Sequence, residues 1–461
     1  GEEADIDLLL TKHHLRDRSA SPRSSLKTPG VKGREDLTSL PTLMVALWDG
    51  VDAPSLPAIS LEQREGGWRL WVHSPAVAER ISVGSTLDTW LRQQGEAICL
   101  GHRWMGLLSQ ALARASGFEA GKTQPALSVA LDLSEVGELL HYRFMRSQIR
   151  PDGCVNRAVM EALATRKPKA RTVPAALRPL KACLPILEQL VELTTQLRQQ
   201  RLATGSIDLN LPLPPLERLG DLREPPPDAW LRSWFLEQEA THPGAVLRET
   251  VLIAHRALGR HFAALGLPAL FATQTPCQPS EIQEVAKAAL TLDIPLELGE
   301  NGDVSLAELA AAFARTDRSR ALQQQLRDSL PAVLLSEQPG PHALAGESIA
   351  YAPWCCPTLH YADLWNQFLL VSLLTDGKDR PTVRHRTAVD LSSDSCHGAI
   401  NWSILTPSQL ALYQEAHRQE LAHRLNGRVR VLLDFQADAE AMAQARYAQP
   451  LVGQTLPGVI S

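Results

Sequence analysis

Two runs of basic side chains are the first groups in this sequence able to do chemistry. Arg166, Lys167, Lys169 and Arg171 form one, and Lys378, Arg380, Arg384 and Arg386 the other; either could neutralise a nucleic-acid backbone. The first run sits in a Pro-containing loop, where a solvated face is the plainer account. Histidine and cysteine offer coordinating power, but His13-His14, His255 with His261, and Cys396-His397 lack the spacing and partner set of a zinc site. Packed or exposed histidines are expected there, and no metal. Serine nucleophile chemistry is excluded by the absence of a G-x-S-x-G elbow. Trp48, Trp68 and Trp71 lie in strand-like runs and read as core.

The elements that would position these groups follow from composition and pattern. With 461 residues, 44% hydrophobic and 21% charged, the chain is globular and long enough for one large or two ordinary domains. A net charge of -5 gives no global attraction to a polyanion, so nucleic acid would have to be held by local patches. No apolar stretch is long enough for a membrane span, and the opening Gly-Glu-Glu-Ala-Asp is acidic where a secretory signal is basic and then apolar. Seven cysteines without a CxxC pair predict free thiols and a cytoplasmic protein. After a short helical pattern at Ile6 to Leu10 and a Ser/Pro/Lys/Gly-rich linker, strand-like runs appear at Thr42 to Trp48, Trp68 to His73 and Ala126 to Leu133. Helical periodicity then marks Leu180 to Arg201, Ala245 to Leu265, Pro279 to Leu290, Ser305 to Arg315 and Tyr361 to Leu374. A further amphipathic helix is predicted from Pro407 to Leu425, with Thr406 as its N-cap. Strands first and helices later predict an α+β protein.

Four segments, in this order, resemble the RNB catalytic domain of the ribonuclease II/R family. They are REDLTSLPT from Arg34 to Thr42, GWRLWVHSPAVAERISVGSTLD from Gly67 to Asp88, LRETVLIAHRALGRHFAALGLPAL from Leu247 to Leu270, and YAPWCCPTLHYADL from Tyr351 to Leu364. The resemblance implies an RNB-type core of mixed β-sheets surrounded by helices that form a funnel, with a helical C-terminal part. It divides the chain into an N-terminal helix and linker (1–36), the RNB-like core (37–373) and a mainly helical extension (374–448). The last stretch, 449–461, contains LVGQTLPGVIS, which is similar to the opening of an OB-type RNA-binding domain.

Members of that family hydrolyse RNA from its 3′ end with two magnesium ions, which need hard anionic oxygens. Their loop has the form Asp-x-x-x-Ala-x-Asp-x-Asp-Asp-Ala. The corresponding loop here reads Asp49-Gly50-Val51-Asp52-Ala53-Pro54-Ser55-Leu56-Pro57. Asp49 matches the first aspartate, Asp52 falls at a commonly acidic position outside the metal set, and the other three carboxylates have no counterpart. The resemblance therefore implies no bound metal, or Asp49 alone if any, because the dications would lack compensating charge. The family's arginine pair corresponds to Leu359 and His360, and its base-stacking aromatic positions to Cys99, Leu209 and Arg157. The run Lys378, Arg380, Arg384 and Arg386 falls near the family's RNA channel; with Arg157, Arg166 and Lys167 it makes up the expected RNA contacts. The expected function is a catalytically inactive RNB-fold protein acting as an RNA-binding or protein-interaction module, without a cofactor. The alternative is an active magnesium-dependent 3′-5′ exoribonuclease acting on single-stranded RNA through Asp49, Asp52 and acidic residues from elsewhere. Expected partners are single-stranded RNA or a protein, with no DNA and no membrane.

Overall fold

The computed structural model describes residues 2–15, 20–48, 50, 52–100, 103–167, 172–211, 234–380 and 387–456. Among them, the largest sheet has seven strands: β1 (Glu35–Asp36), β2 (Leu43–Val45), β3 (Ala58–Arg64), β4 (Gly67–Pro75), β5 (Gln124–Ser134), β6 (Leu139–Ile149) and β7 (Gly153–Val155). Their spatial order is β1-β6-β5-β4-β3-β2-β7. The middle of the sheet is an antiparallel meander, closed at both edges by short parallel pairs. Side chains alternate between the two faces of a strand. Ile59, Leu61, Leu70, Val72, Val129 and Phe144 thereby reach the main hydrophobic core. Gly67 has φ +157°, and a Cβ there would lie 2.0 Å from the Leu133 carbonyl oxygen, so only glycine allows the β3–β4 turn to cross β5 this closely.

The opposite face carries small apolar clusters around Ala58 and Trp71 and, between them, a row of polar side chains that satisfy one another. Thr42, Ser60 on β3, His73 on β4, Ser128 on β5 and Ser147 on β6 are all fully buried. They form one chain of hydrogen bonds: Thr42–Ser60 at 2.9 Å, Ser60–His73 at 3.1 Å, His73–Ser128 at 2.7 Å and Ser128–Ser147 at 2.7 Å. This satisfies groups whose burial would otherwise cost free energy. The segment before β2 covers part of this face, and its Arg34 guanidinium pairs with Glu79, which also accepts from Arg146 at 2.6 Å.

Helices form the rest of the core. α1 (Glu2–Lys12), α2 (Thr86–Gln94), α3 (Leu184–Ala203), α4 (Pro243–Leu265), α5 (Tyr361–Asp376) and α6 (Leu421–Ala448) are the ones that position the candidate site. α4 and α5 are buried on nearly every side, as expected of helices that are apolar all round. His242 caps α4 by accepting from the Gly244 N–H at 3.0 Å, and Gly266 ends the helix in the left-handed region. Gly259 lets the helix approach 350–351 directly, since a Cβ would lie 2.5 Å from the Ala350 carbonyl oxygen. Beside α4, the buried Arg201 of α3 donates to Asp208 and to Glu249, each at 2.8 Å. Burial alone would raise the Asp208 carboxyl, but the guanidiniums of Arg201, Arg248 and Arg198 outweigh it and hold the group below its ordinary value.

The expected α+β class is what forms, with differences in particular elements. The run from Thr42 to Trp48 is a strand only at Leu43–Val45, where its pairing with β3 and β7 ends. Thr406 does cap a helix, accepting from the Gln409 N–H at 3.3 Å, but that helix ends at Arg418. Glu420 adopts φ 59°, and α6 restarts on a new axis that buries Leu421, Leu425, Val429, Leu432 and Phe435. α1 packs Leu9 and Leu10 against α6, where Asp438 accepts from Lys12 and His13, both at 2.6 Å. The tail that resembles the start of an OB-type domain forms one 3-10 turn, Gln449–Leu451, and no strand among its described residues. No described helix is long and apolar enough to cross a membrane. All seven cysteines are free thiols.

Candidate functional site

The loop that follows β2 borders a cleft of about 820 Å3. Asp49 and Val51 lie outside the described residues, as do Lys169, Arg171, Arg384 and Arg386. Asp52 lies exposed on the rim, and Glu119 and Arg114 line other parts of the wall. Trp48 and Trp104 meet edge to face across the cleft, with ring centroids 4.7 Å apart. Beyond Asp52 the loop turns inward: Leu56 is 4% exposed and belongs to the main core. Ser55 is held at both ends, its Oγ accepting from the Phe118 N–H at 3.1 Å and its carbonyl accepting from the Thr358 hydroxyl at 2.7 Å. Ser55, Leu56 and Pro57 are therefore a clamped serine, a core leucine and a proline, with no carboxylate among them. Replacing Thr358 by Val is expected to cost about 1 kcal/mol by removing the Ser55 tether. Urea unfolding together with faster amide exchange at 53–56 would register it; unchanged exchange there would show that the tether does not hold the loop.

The signature segment 351–364 is built into the core as firmly. Leu359 is 1% exposed, its carbonyl accepting from the Ala97 N–H at 2.8 Å. His360 is buried and hydrogen-bonded to Glu96. Tyr361 donates to Asp88 at 2.5 Å and accepts from Arg92 at 2.9 Å. Burial first, and the Asp88 carboxylate second, push this phenol well above its ordinary value. The Asp363 carboxylate accepts from the Cys356 N–H at 2.8 Å. The Cys355 N–H donates to His255 Nε2 at 3.0 Å, so the neutral ring carries its proton on Nδ1 and points it at the Tyr351 hydroxyl, 2.9 Å away. These contacts align the segment with 95–97 and leave no guanidinium at 359 or 360.

Two expected stacking positions are packed away. Cys99 sits in an apolar cluster with Leu9, Leu10, Leu432 and Phe435. Leu209 sits in another with Leu309 and Phe313. The third, Arg157, opens a helix whose N-cap is Asn156; its side chain is 68% exposed and lies 3.5 Å from Glu161. Arg166 donates to Glu188 at 3.1 Å, while Lys167, Lys378 and Arg380 are exposed. None of these five basic residues lines the cleft; Arg114 does. Sequence reasoning missed Arg114 and Glu119, which come from a short helix and the loop after it with no motif to mark them. It also treated His261 and Cys396-His397 as separate, whereas the fold brings them together.

A mixed sheet with a loop bordering a cleft, backed by two helices buried on nearly every side, defines the α+β class of this protein. The RNB domain matches residues 34–376, and the chain belongs to that family. Among curated proteins it is similar to the acetazolamide conferring resistance protein zam of Synechocystis, 24% identical over 473 residues. That alignment covers 99% of this chain and 58% of the relative, so the chain spans little more than half the relative's length. Among solved structures, RNase R of Mycoplasma genitalium, in complex with ribose methylated single-stranded RNA, superposes with a TM-score of 0.71 at 14% identity, covering 98% of this chain and 66% of that one. Yeast Ssd1, described as a pseudonuclease, gives 0.68 at 15% identity, covering 96% of this chain and 50% of its own. Dss1 exoribonuclease of Candida glabrata, as an active-site mutant, gives 0.61 at 13% identity, covering 92% and 50% respectively. At these identities the likeness establishes the fold.

Proposed function

We propose that this chain is a non-hydrolysing RNB-fold module that holds single-stranded RNA. The observation that carries the reading is the loop from Asp52 to Pro57. Its inner positions are a doubly tethered serine and a core leucine, and the neighbouring signature positions are a buried leucine and a histidine tied to Glu96. Two magnesium ions and a transferring phosphate demand several carboxylates and a bidentate cation. The chain supplies Asp49 and Asp52 in the loop and Glu119 on the wall, the set from which the hydrolytic alternative would have to be built. Single-stranded RNA is proposed because RNase R of Mycoplasma genitalium was captured with it. In addition, Lys378 and Arg380 lie exposed just beyond α5, and Arg384 and Arg386 follow them in sequence.

Incubation of the protein with 5′-labelled single-stranded RNA and magnesium or manganese is expected to leave the RNA at full length. Fluorescence anisotropy is expected to show binding that weakens steeply with salt. The double variant Lys378→Glu and Arg380→Glu is expected to bind about tenfold more weakly, since each contributes to phosphate neutralisation. Progressive shortening abolished by Asp49→Asn would restore the exoribonuclease reading. No binding at low salt would move the proposal to a protein partner.

A further inference from the structure

The sheet edge far along the chain from the loop carries a second constellation. His261 of α4 and the pair Cys396-His397 place one donor atom each, Nδ1 or Nε2 of the rings and the cysteine Sγ, within 4.8 Å of one another. His261 and Cys396 are fully buried, and His397 is half-buried at the opening. The geometry points to a transition-metal site, and we propose that His261 Nδ1, Cys396 Sγ and His397 Nε2 bind one zinc ion.

The supporting contacts orient these donors inward. His261 Nε2 lies 2.9 Å from the Leu391 carbonyl, which can only accept, so this nitrogen carries the proton and Nδ1 presents its lone pair. A ligating imidazole whose other N–H is held by a backbone carbonyl is the usual second contact of a zinc histidine. His261 Nδ1 and His397 Nε2 are 3.0 Å apart, and the Tyr142 hydroxyl is 3.3 Å from the same His397 nitrogen. Around a tetrahedral zinc with bonds of about 2.0 to 2.3 Å, donor atoms stand roughly 3.3 to 3.8 Å apart. To meet that spacing the 3.0 Å nitrogen pair must open slightly, and any pair near the 4.8 Å bound must close by about 1 Å. The donor set, two imidazoles and one thiol, selects zinc or cobalt over magnesium or calcium, which want oxygen. On binding, the thiol loses its proton to solvent and the thiolate bonds the metal. Water or the Tyr142 hydroxyl, 3.3 Å from His397 Nε2, would complete the fourth position.

The segment bearing Cys396 and His397 already lies against β6. The Phe144 N–H donates to the Ser392 carbonyl at 2.9 Å, and the 3-10 turn Asp394–Cys396 is capped by Ser393. Cys396 and His397 fall beyond residue 376, where the match to the RNB domain ends. A metal here would staple this later segment to the sheet and to α4, and the idea stands whether or not RNA is bound.

The test uses the whole chain, freed of metal with a chelator and titrated with cobalt(II). One equivalent is expected to bind with the strong visible absorption of tetrahedral cobalt and a thiolate charge-transfer band. The midpoint of thermal unfolding is expected to rise on adding zinc. Cys396→Ser should abolish the charge-transfer band, and His397→Gln, at a half-exposed position that folding tolerates, should weaken binding at least about tenfold. No thiolate band at micromolar cobalt, or a band unchanged in His397→Gln and Cys396→Ser, would overturn the proposal. Should Cys396→Ser fail to fold, His397→Gln alone decides.

Discussion

Lowering the pH from 7 to 5 is expected to remove roughly 4 kcal/mol of folding stability through His73 and His342 alone, a large share of what holds a domain folded. The cause lies in histidines sealed in the interior, His73, His255 and His342 among them. His73, in the hydroxyl chain across the sheet, and His342 are both held down to about 3 by burial. His255, between Tyr351 and the Cys355 N–H, is held well below its ordinary value, by burial first and by His360 and His342 second. An unfolded imidazole takes its proton near pH 6.5. Between that pH and the folded values, the unfolded chain binds protons that the folded chain refuses, so stability rises with pH and is lost as pH falls. Each histidine contributes about 1.4 kcal/mol per pH unit over that window. Urea midpoints at pH 7, 6 and 5 would measure the slope. His342 caps a short turn by accepting from the Ala345 N–H at 3.3 Å. Asn can supply the same acceptor, so His342→Asn should keep the fold and lower the slope by about 1.4 kcal/mol per pH unit. A midpoint that does not move between pH 7 and 5 would show that water reaches these rings.

How much of this was readable in advance depended on whether the information was local. α4 and α5 were visible as apolar helices because Ala245 to Leu265 and Tyr361 to Leu374 carry the pattern, and part of each also carries the family likeness. β6 was not, because His141, Arg143 and Arg146 interrupt its apolar residues. Those charges are answered by distant segments: Arg143 donates to Glu35 at 2.9 Å, and Arg146 to Glu79 at 2.6 Å. α6 was cut short in the sequence reading because its buried stripe is narrow among charged residues, and only packing against α1 and the core reveals its length. That the segment from Asp52 to Pro57 holds a single carboxylate was legible from residue types alone. The tether from Thr358 to Ser55 was not, since the partners are 303 positions apart. The His261, Cys396 and His397 cluster escaped for the same reason: spacing rules detect ligands that share a local motif, and these meet only through the tertiary fold.

Whether the signature segment is a nuclease site missing one part, or a segment committed to packing, can be decided by putting the part back. Leu359→Arg restores a guanidinium at the first of the two positions where the resemblance expects one. It is expected to cost about 3–5 kcal/mol, the scale of an uncompensated buried charge. Leu359 is 1% exposed and lies within the main apolar core. A buried acid on the adjoining segment, Glu96, is already hydrogen-bonded to His360. His360→Arg should behave differently, because the new guanidinium would take over the Glu96 carboxylate; its cost is expected to stay below about 2 kcal/mol. The contrast between adjacent positions separates charge burial from a general intolerance of large side chains. Urea unfolding of both variants measures it, and the labelled-RNA assay on the same samples is expected to stay negative. If Leu359→Arg were as stable as the starting protein, the core would have room for the guanidinium, and a gain of RNA shortening in that variant would mean that the site needs only its cation.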